Sequence, residues 1–116
     1  DTGHNIGGMQ YIVGQLASTP HERLHFVIGM VNDKDIDSVL GILPKDAEYY
    51  FTQASVQRAL SAESLAIKAG KVGLKGVVIT DVKEAYRKAR QNATKDDLIF
   101  VGGSTFVVAD LLKTDF

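Results

Sequence analysis

Apolar residues switch between helix-like and strand-like spacing along the chain. The first set has the three-to-four-residue spacing of an amphipathic helix and comprises Met9, Ile12, Val13, Leu16 and Ala17. Thr19-Pro20 ends this pattern, because proline cannot continue a helix. The mostly apolar segment 24–29 then predicts a strand.

The middle of the chain repeats this alternation. A short amphipathic helix is predicted after Asp35 from Ile36, Val39, Leu40 and Leu43, and Pro44 ends it. Residues 47–52 predict a second strand. Ser61 is the expected N-cap of a helix that carries Leu65, Ala66 and Ala69.

The last third predicts two more strand–helix pairs. Residues 77–79 are short enough for an edge strand, and Thr80 or Asp81 is the expected cap of the next helix. The apolar stripe of that helix is Val82, Ala85, Tyr86, Ala89 and Ala93, and its solvated outer face is Lys83, Arg87, Lys88 and Arg90. Residues 98–101 are almost continuously apolar, which predicts a strand at the centre of the sheet, buried on both sides. A final apolar helix is predicted to end near Leu112.

This order of elements predicts an α/β fold. Helices alternating with strands favour a Rossmann-like three-layer domain, with a mostly parallel sheet and helices on both faces. A length of 116 residues with 45% hydrophobic content suits a single domain with its own core. Since the chain opens at Asp1 without an initiator methionine, we expect it to be a piece of a longer protein.

Composition narrows the classes of partner. The 13 Lys and Arg residues nearly balance the 14 Asp and Glu residues, so no overall charge favours nucleic acid or an anionic membrane. No apolar run reaches the roughly 18 residues that a membrane span needs. Cysteine is absent, which excludes thiolate chemistry and suits a reducing compartment. We therefore expect a cytoplasmic protein.

Candidate chemistry lies in three turns that precede helices. In an open α/β sheet, ligands bind beyond the carboxyl ends of the strands. The opening 1–8 offers a carboxylate, an imidazole and three glycines, the turn 29–35 offers Lys34, and the turn 102–105 offers backbone amides and two hydroxyls. Each turn alone is also explained by capping or by a solvated surface. His21 and His25 are expected to be surface or strand residues without a special role, and Tyr49, Tyr50, Phe51 and Phe106 are expected to pack in the core.

Four motifs, in order, resemble one family. Asp1-Thr2-Gly3-His4-Asn5 is similar to an Asp-Gly-Ala-His-Asn motif, and residues 29–35 are similar to Gly-x-x-x-Asp-Lys-Asp. Gln57-Arg58-Ala59 resembles a Pro-Arg-Ala element, and residues 97–104 resemble Asp-x-x-x-Val-x-Gly-Ser. These motifs occur in the C-terminal domain of folylpolyglutamate synthase and dihydrofolate synthase, within the Mur ligase superfamily. The resemblance covers nearly the whole chain.

The resemblance implies that residues 1–116 are a single C-terminal, glutamate-ligase domain. The parent would be an ATP-dependent ligase that joins L-glutamate to folate or dihydropteroate through an acyl phosphate. This domain would be a lid, and it would be inactive alone. A central P-loop ATPase domain of the same polypeptide would hold most of the ATP and Mg²⁺, since the chain has no Walker sequence.

The resemblance also implies roles for individual residues. Asp1, His4 and Asn5 would contact the nucleotide. The glutamate pocket would be lined by Lys34, Arg58, Ser104 and Thr105. No catalytic residue and no metal ligand is expected in this chain.

Two alternatives remain open at this stage. The chain could be a non-catalytic α/β module that binds a small anion or mediates assembly. It could also be the C-terminal domain of a Mur ligase that acts on a peptidoglycan precursor. A P-loop domain in the parent would favour the enzyme over the module.

Overall fold

The structure, a computed structural model, describes residues 6–32 and 35–112, and within them it leaves out the side chains of residues 6, 105 and 106. Helices and strands alternate throughout these ranges. Their bounds are α1 (Ile6–Ser18), β1 (Leu24–Ile28), α2 (Ile36–Gly41), β2 (Glu48–Phe51), α3 (Ala62–Lys71), β3 (Gly76–Val78), α4 (Val82–Asn92), β4 (Leu98–Gly102) and α5 (Thr105–Leu112).

All the described strands are parallel, in the order β3-β2-β1-β4. Val27 of β1 lies opposite Tyr50 of β2 and Val101 of β4. Parallel strands must be joined by crossovers, and the helices between them are those crossovers. The expected α/β class with a parallel sheet is confirmed.

Strands β1 and β2, and not β4, are the interior strands of the described sheet. Every residue of β1 is buried, whereas residues 98–101 of β4 are only half-buried, with β1 on one side. The prediction that residues 98–101 lie at the centre was therefore wrong. An apolar run indicates burial, but strand order depends on where the crossovers run, which local composition does not encode.

Alternate side chains of β1 face two separate cores. Phe26 and Ile28 pack with Met9, Leu40 and Leu65, so α1, α2 and α3 cover one face. On the other face, Val27 packs with Ala85 and Ala89 of α4, and Val107 of α5 joins an adjoining cluster. The three-layer architecture follows from this two-residue alternation and is confirmed.

Local signals placed the helix starts correctly. The Ser61 hydroxyl accepts a hydrogen bond from the Ser64 amide at 3.1 Å, and the Asp81 carboxylate accepts one from the Glu84 amide at 3.1 Å. Both are N-caps as predicted, because each oxygen satisfies an amide that has no partner within the first helical turn.

Strand β3 lies at the other end of the described sheet. Val77 and Val78 are 49% and 43% exposed, which confirms residues 77–79 as an edge segment. In the described residues, no helix is both long enough and apolar enough to cross a membrane.

Candidate functional site

The ends of β1, β2 and β4 meet at the carboxyl edge of the sheet. The Gly29 amide donates to the Gly102 carbonyl at 3.3 Å, and the Thr52 amide donates to the Ile28 carbonyl at 2.9 Å. The residue that follows β1 is thus bonded to the last residue of β4, and the residue that follows β2 is bonded to the last residue of β1. This is the position at which open α/β sheets bind ligands.

Two glycines let the turns after β1 and β4 approach closely. Gly103 has a φ of +93°, and a Cβ there would lie 2.5 Å from the Gly29 carbonyl oxygen. A Cβ on Gly29 would lie 2.6 Å from Cγ2 of Val107. Since other residues have a Cβ that cannot occupy such space, glycine is required at both positions. Ser104 is consequently held beside the end of β1.

The backbone of Arg58 lies at the same edge. Its carbonyl accepts a hydrogen bond from the Asn32 amide at 2.8 Å, and the Leu60 amide donates to Met30 at 2.9 Å. Val31 and Ala59 form an antiparallel bridge between these segments. Arg58 is an exposed residue, and its backbone lies beside Asn32 in the segment that follows β1.

Ser104 lies directly before α5. Its carbonyl accepts from the Val107 amide at 3.2 Å, which begins the helical hydrogen bonding. The residue is only 2% exposed, so little of its hydroxyl faces solvent in this chain. The backbone amides at the start of α5 add a partial positive charge to this corner.

The other predicted site residues cannot be located in the same way. Asp1, His4, Asn5 and Lys34 lie outside the described residues, as does the side chain of Thr105. Arg58 and Ser104 are the predicted residues that the structure describes in full, and it brings both to the carboxyl edge. Within residues 6–32 and 35–112, no group of three or more His, Asp or Glu side chains could hold a metal ion.

A buried polar chain at the opposite, amino edge of the sheet was not predicted. His25 is fully buried, with its Nδ1 2.8 Å from the Tyr50 hydroxyl and its Nε2 2.8 Å from the Asp97 carboxylate. The Asn92 amide nitrogen lies 3.2 Å from the Tyr50 hydroxyl. His25 lies in a strand, which is one of the two places expected for it. The expectation that it has no special role was wrong, because it links Tyr50 and Asp97 by hydrogen bonds. The signal available was a histidine inside an otherwise apolar strand, which a buried sheet tolerates only with partners.

Two pKa values respond to this environment. The hydrogen bond from His25, followed by that from the Thr94 amide, lowers the pKa of Asp97 to about 2. Burial raises the pKa of the Tyr50 hydroxyl. Tyr50 also packs in the core, as do Tyr49 and Phe51, which confirms their packing role; the Phe106 side chain lies outside the described residues.

Hollows of 390 to 460 Å³ also lie at the amino edge. One of them has Lys45, Lys75 and Lys88 in its lining, together with Asp46 and Glu48. Mixed charge of this kind does not make an anion site, and Glu48 is already paired with Arg23. The carboxyl edge therefore remains the candidate site.

Comparison with known proteins gives consistent matches. The family described as "Mur ligase, glutamate ligase domain" matches residues 1–105. A probable bifunctional folylpolyglutamate synthase/dihydropteroate synthase from Halobacterium salinarum is 32% identical over 95% of this chain. Among solved structures, E. coli FolC in complex with ADP superposes with a TM-score of 0.87 at 30% identity over 97% of this chain. The Yersinia pestis bifunctional folylpolyglutamate synthase/dihydrofolate synthase with Mn, AMPPNP and L-glutamate bound gives a TM-score of 0.86 at 32% identity over 97% of this chain.

These relatives are much longer than this chain. The chain spans 14% of the Halobacterium protein and 27% of each of the two solved chains. The similarity therefore concerns one domain of each relative.

Proposed function

Because this chain belongs to the Mur ligase glutamate ligase domain family, we propose that residues 1–116 are the C-terminal lid domain of an ATP-dependent folate ligase. The full-length protein would add L-glutamate to folate, tetrahydrofolate or dihydropteroate. Relatives named for folate enzymes match 95% and 97% of this chain, which favours a folate ligase over a peptidoglycan-precursor ligase. A cytoplasmic location belongs to the same proposal, since a cysteine-free chain suits a reducing compartment.

The reaction explains why a lid would be needed. A substrate carboxylate takes the terminal phosphoryl group of ATP and becomes an acyl phosphate, and the glutamate amine then displaces phosphate to form an amide. Water competes with that amine for the same carbonyl carbon. A domain that closes over the intermediate excludes water and delivers glutamate in one movement.

The meeting of the segments that follow β1, β2 and β4 at the carboxyl edge is the observation that carries the proposal. Glutamate presents two carboxylates, and a guanidinium and an ammonium group are suitable partners for them. In this proposal Lys34 and Arg58 supply these charges, while Ser104, Thr105 and the amides of α5 supply hydrogen-bond donors. The Yersinia pestis relative was solved with L-glutamate bound, which supports glutamate as a ligand of such a protein.

The nucleotide would lie between this domain and the rest of the polypeptide. Asp1 would accept hydrogen bonds from ribose hydroxyls, and His4 and Asn5 would lie near the phosphates. Mg²⁺ and most of the ATP contacts would belong to a central P-loop ATPase domain.

Substitution of Arg58 tests the glutamate assignment. In the full-length ligase, Arg58→Gln should raise the KM for glutamate roughly tenfold or more, because a charged hydrogen-bond partner of a carboxylate is lost. The KM for ATP should stay within about twofold. Arg87→Gln is a matched control, since Arg87 is an exposed arginine that pairs with Glu84 on α4. Equal increases in both KM values would contradict the assignment.

A further inference from the structure

Asp110, on α5, binds the loop that carries Arg58. The Ser55 amide donates to one carboxylate oxygen of Asp110 at 2.6 Å, and the Ser55 hydroxyl donates to the other at 3.0 Å. Both carboxylate oxygens are thus engaged by one residue. Hydrogen bonds to an ionised acceptor are stronger than neutral ones, so this is a specific attachment between helix and loop.

Apolar contacts support the same attachment. Ala54 of the loop and Val107 of α5 are buried in one small cluster, against which Val56, Ala59 and Leu111 pack. The loop from Ala54 to Ala59 therefore rests on α5 through both polar and apolar contacts.

The loop is held at further points around Arg58. The Gln53 amide donates to the Thr80 carbonyl at 3.3 Å, and the Gln53 side-chain oxygen accepts from the Ala62 amide at 2.9 Å. Beyond Ser55, the Val56 carbonyl accepts from the Ala59 amide at 3.1 Å, and the Arg58 carbonyl accepts from the Asn32 amide at 2.8 Å. Arg58 is consequently held between α5 on one side and the turn after β1 on the other.

Helix α5 joins two parts of the proposed glutamate site. Its first residue follows Ser104, and Asp110 lies about 8 Å further along the axis at the usual rise per residue. The helix thus fixes Ser104 at its N-terminal end. Nearer its C-terminal end, it holds the Arg58 loop through the contact between Asp110 and Ser55. Any shift of this loop on α5 changes the spacing between the groups that would bind the two ends of glutamate.

We propose that Asp110 is a positioning residue of the glutamate site, acting through Ser55 to set the place of Arg58 relative to the start of α5. Asp110 itself touches no substrate in this scheme. The inference rests on the proposed function, because it concerns the pocket assigned there to L-glutamate.

Kinetics of the full-length ligase test the proposal. Asp110→Ala should raise the KM for glutamate roughly three- to tenfold and leave the KM for ATP within about twofold. Asp110→Asn keeps an acceptor for the Ser55 amide and should restore most of the affinity. Combining Ser55→Ala with Asp110→Ala should be no worse than Asp110→Ala alone, since the hydroxyl bond that Ser55→Ala removes is already lost in Asp110→Ala. Asp46→Ala, an exposed aspartate at the amino edge, is the matched control.

Three outcomes would overturn the proposal. They are an unchanged KM for glutamate in Asp110→Ala, equal increases for glutamate and ATP, and additive effects of Ser55→Ala and Asp110→Ala. If Asp110→Ala does not fold, Ser55→Ala removes the hydroxyl bond without altering α5 and leaves the amide bond in place, so it should raise the KM for glutamate in the same direction but by a smaller factor.

Arg58→Gln, assayed in parallel, separates this proposal from the function on which it rests. If Arg58→Gln raises the KM for glutamate and Asp110→Ala does not, only the proposed role of Asp110 is contradicted. No effect of either variant removes the glutamate site itself.

Discussion

At the scale of single residues, buried polar side chains at the amino edge form a hydrogen-bonded chain through His25, Tyr50 and Asp97. Asp97 accepts hydrogen bonds from His25 and from the amides of Thr94 and Arg23. Nε2 of His25 faces Asp97, and Nδ1 faces the Tyr50 hydroxyl and lies 3.4 Å from the Glu48 carboxylate. Every member then has a partner, as burial requires. These hydrogen-bonded side chains connect β1, β2 and the segment that enters β4.

The hydrogen bonds to Asp97 predict that the protein loses stability in acid. The pKa of Asp97 is lowered from 3.8 to about 2, so the folded protein favours the carboxylate more than the unfolded chain does. The stabilisation of the folded protein by the Asp97 carboxylate is complete above about pH 4 and is lost as the pH falls towards about 2. Asp97→Asn should lower the thermal unfolding midpoint at neutral pH and flatten its pH dependence between those limits, as measured by circular dichroism.

Asp96→Asn is the control for that measurement. Asp96 is exposed and adjacent in sequence, and its known contact is a backbone carbonyl that accepts from Glu22. This variant should keep the parent's pH profile. If Asp97→Asn also kept the parent's pH profile, the carboxylate of Asp97 would not be the group responsible.

At the scale of elements, α1 is the helix with the weakest local support. Its sequence, IGGMQYIVGQLAS, has no charged residue and includes three glycines, which disfavour helix interiors. Its buried residues Met9, Ile12 and Leu16 pack against the sheet. Tertiary packing therefore compensates for poor helix propensity here, whereas α3 and α4 also have side-chain caps.

Replacing Gly14 tests this description of α1. Gly14 is exposed, and a Cβ there would meet no atom within 4 Å, so Gly14→Ala should stabilise the protein by about 0.5 to 1 kcal/mol. Gly103→Ala is the opposite control. With a φ of +93° and a Cβ 2.5 Å from the Gly29 oxygen, it should destabilise by at least about 1 kcal/mol. Denaturant unfolding measures both changes, and a destabilised Gly14→Ala would contradict the open environment of that position.

At the scale of the whole molecule, the carboxyl edge provides one side of a site. It contributes the exposed Arg58 and the start of α5, and the sequence contains no phosphate-binding P-loop. A reaction through an acyl phosphate needs a triphosphate site that the rest of the polypeptide would supply. Activity would then depend on closure of two domains around the substrates.

The purified chain should accordingly show no folate-dependent ATP hydrolysis and no glutamate transfer. The measurement is phosphate release with ATP, Mg²⁺, L-glutamate and a folate, compared with the full-length ligase under the same conditions. Turnover by the chain alone would contradict its role as a lid.

Local patterns were enough to predict the elements, whereas the meeting of the opening 1–8 with the other two turns stays a prediction, since residues 1–5 lie outside the described residues. Helical spacing, apolar strands and capping residues such as Ser61 and Asp81 act over a few neighbouring residues, so they can be read directly from the chain. The motif around Arg58 was recognised by resemblance, and the fold brings its backbone to the expected edge. The roles of the site residues remain predictions.

Contacts between distant segments were decided by the tertiary structure alone. The interior place of β1, the burial of His25 against Asp97 and the attachment of Ser55 to Asp110 all join segments far apart in sequence. No local spacing encodes such pairs, because each one exists only after the crossovers have set the strand order. The sequence by itself therefore determined which helices and strands form, and the packing of those elements determined which side chains meet.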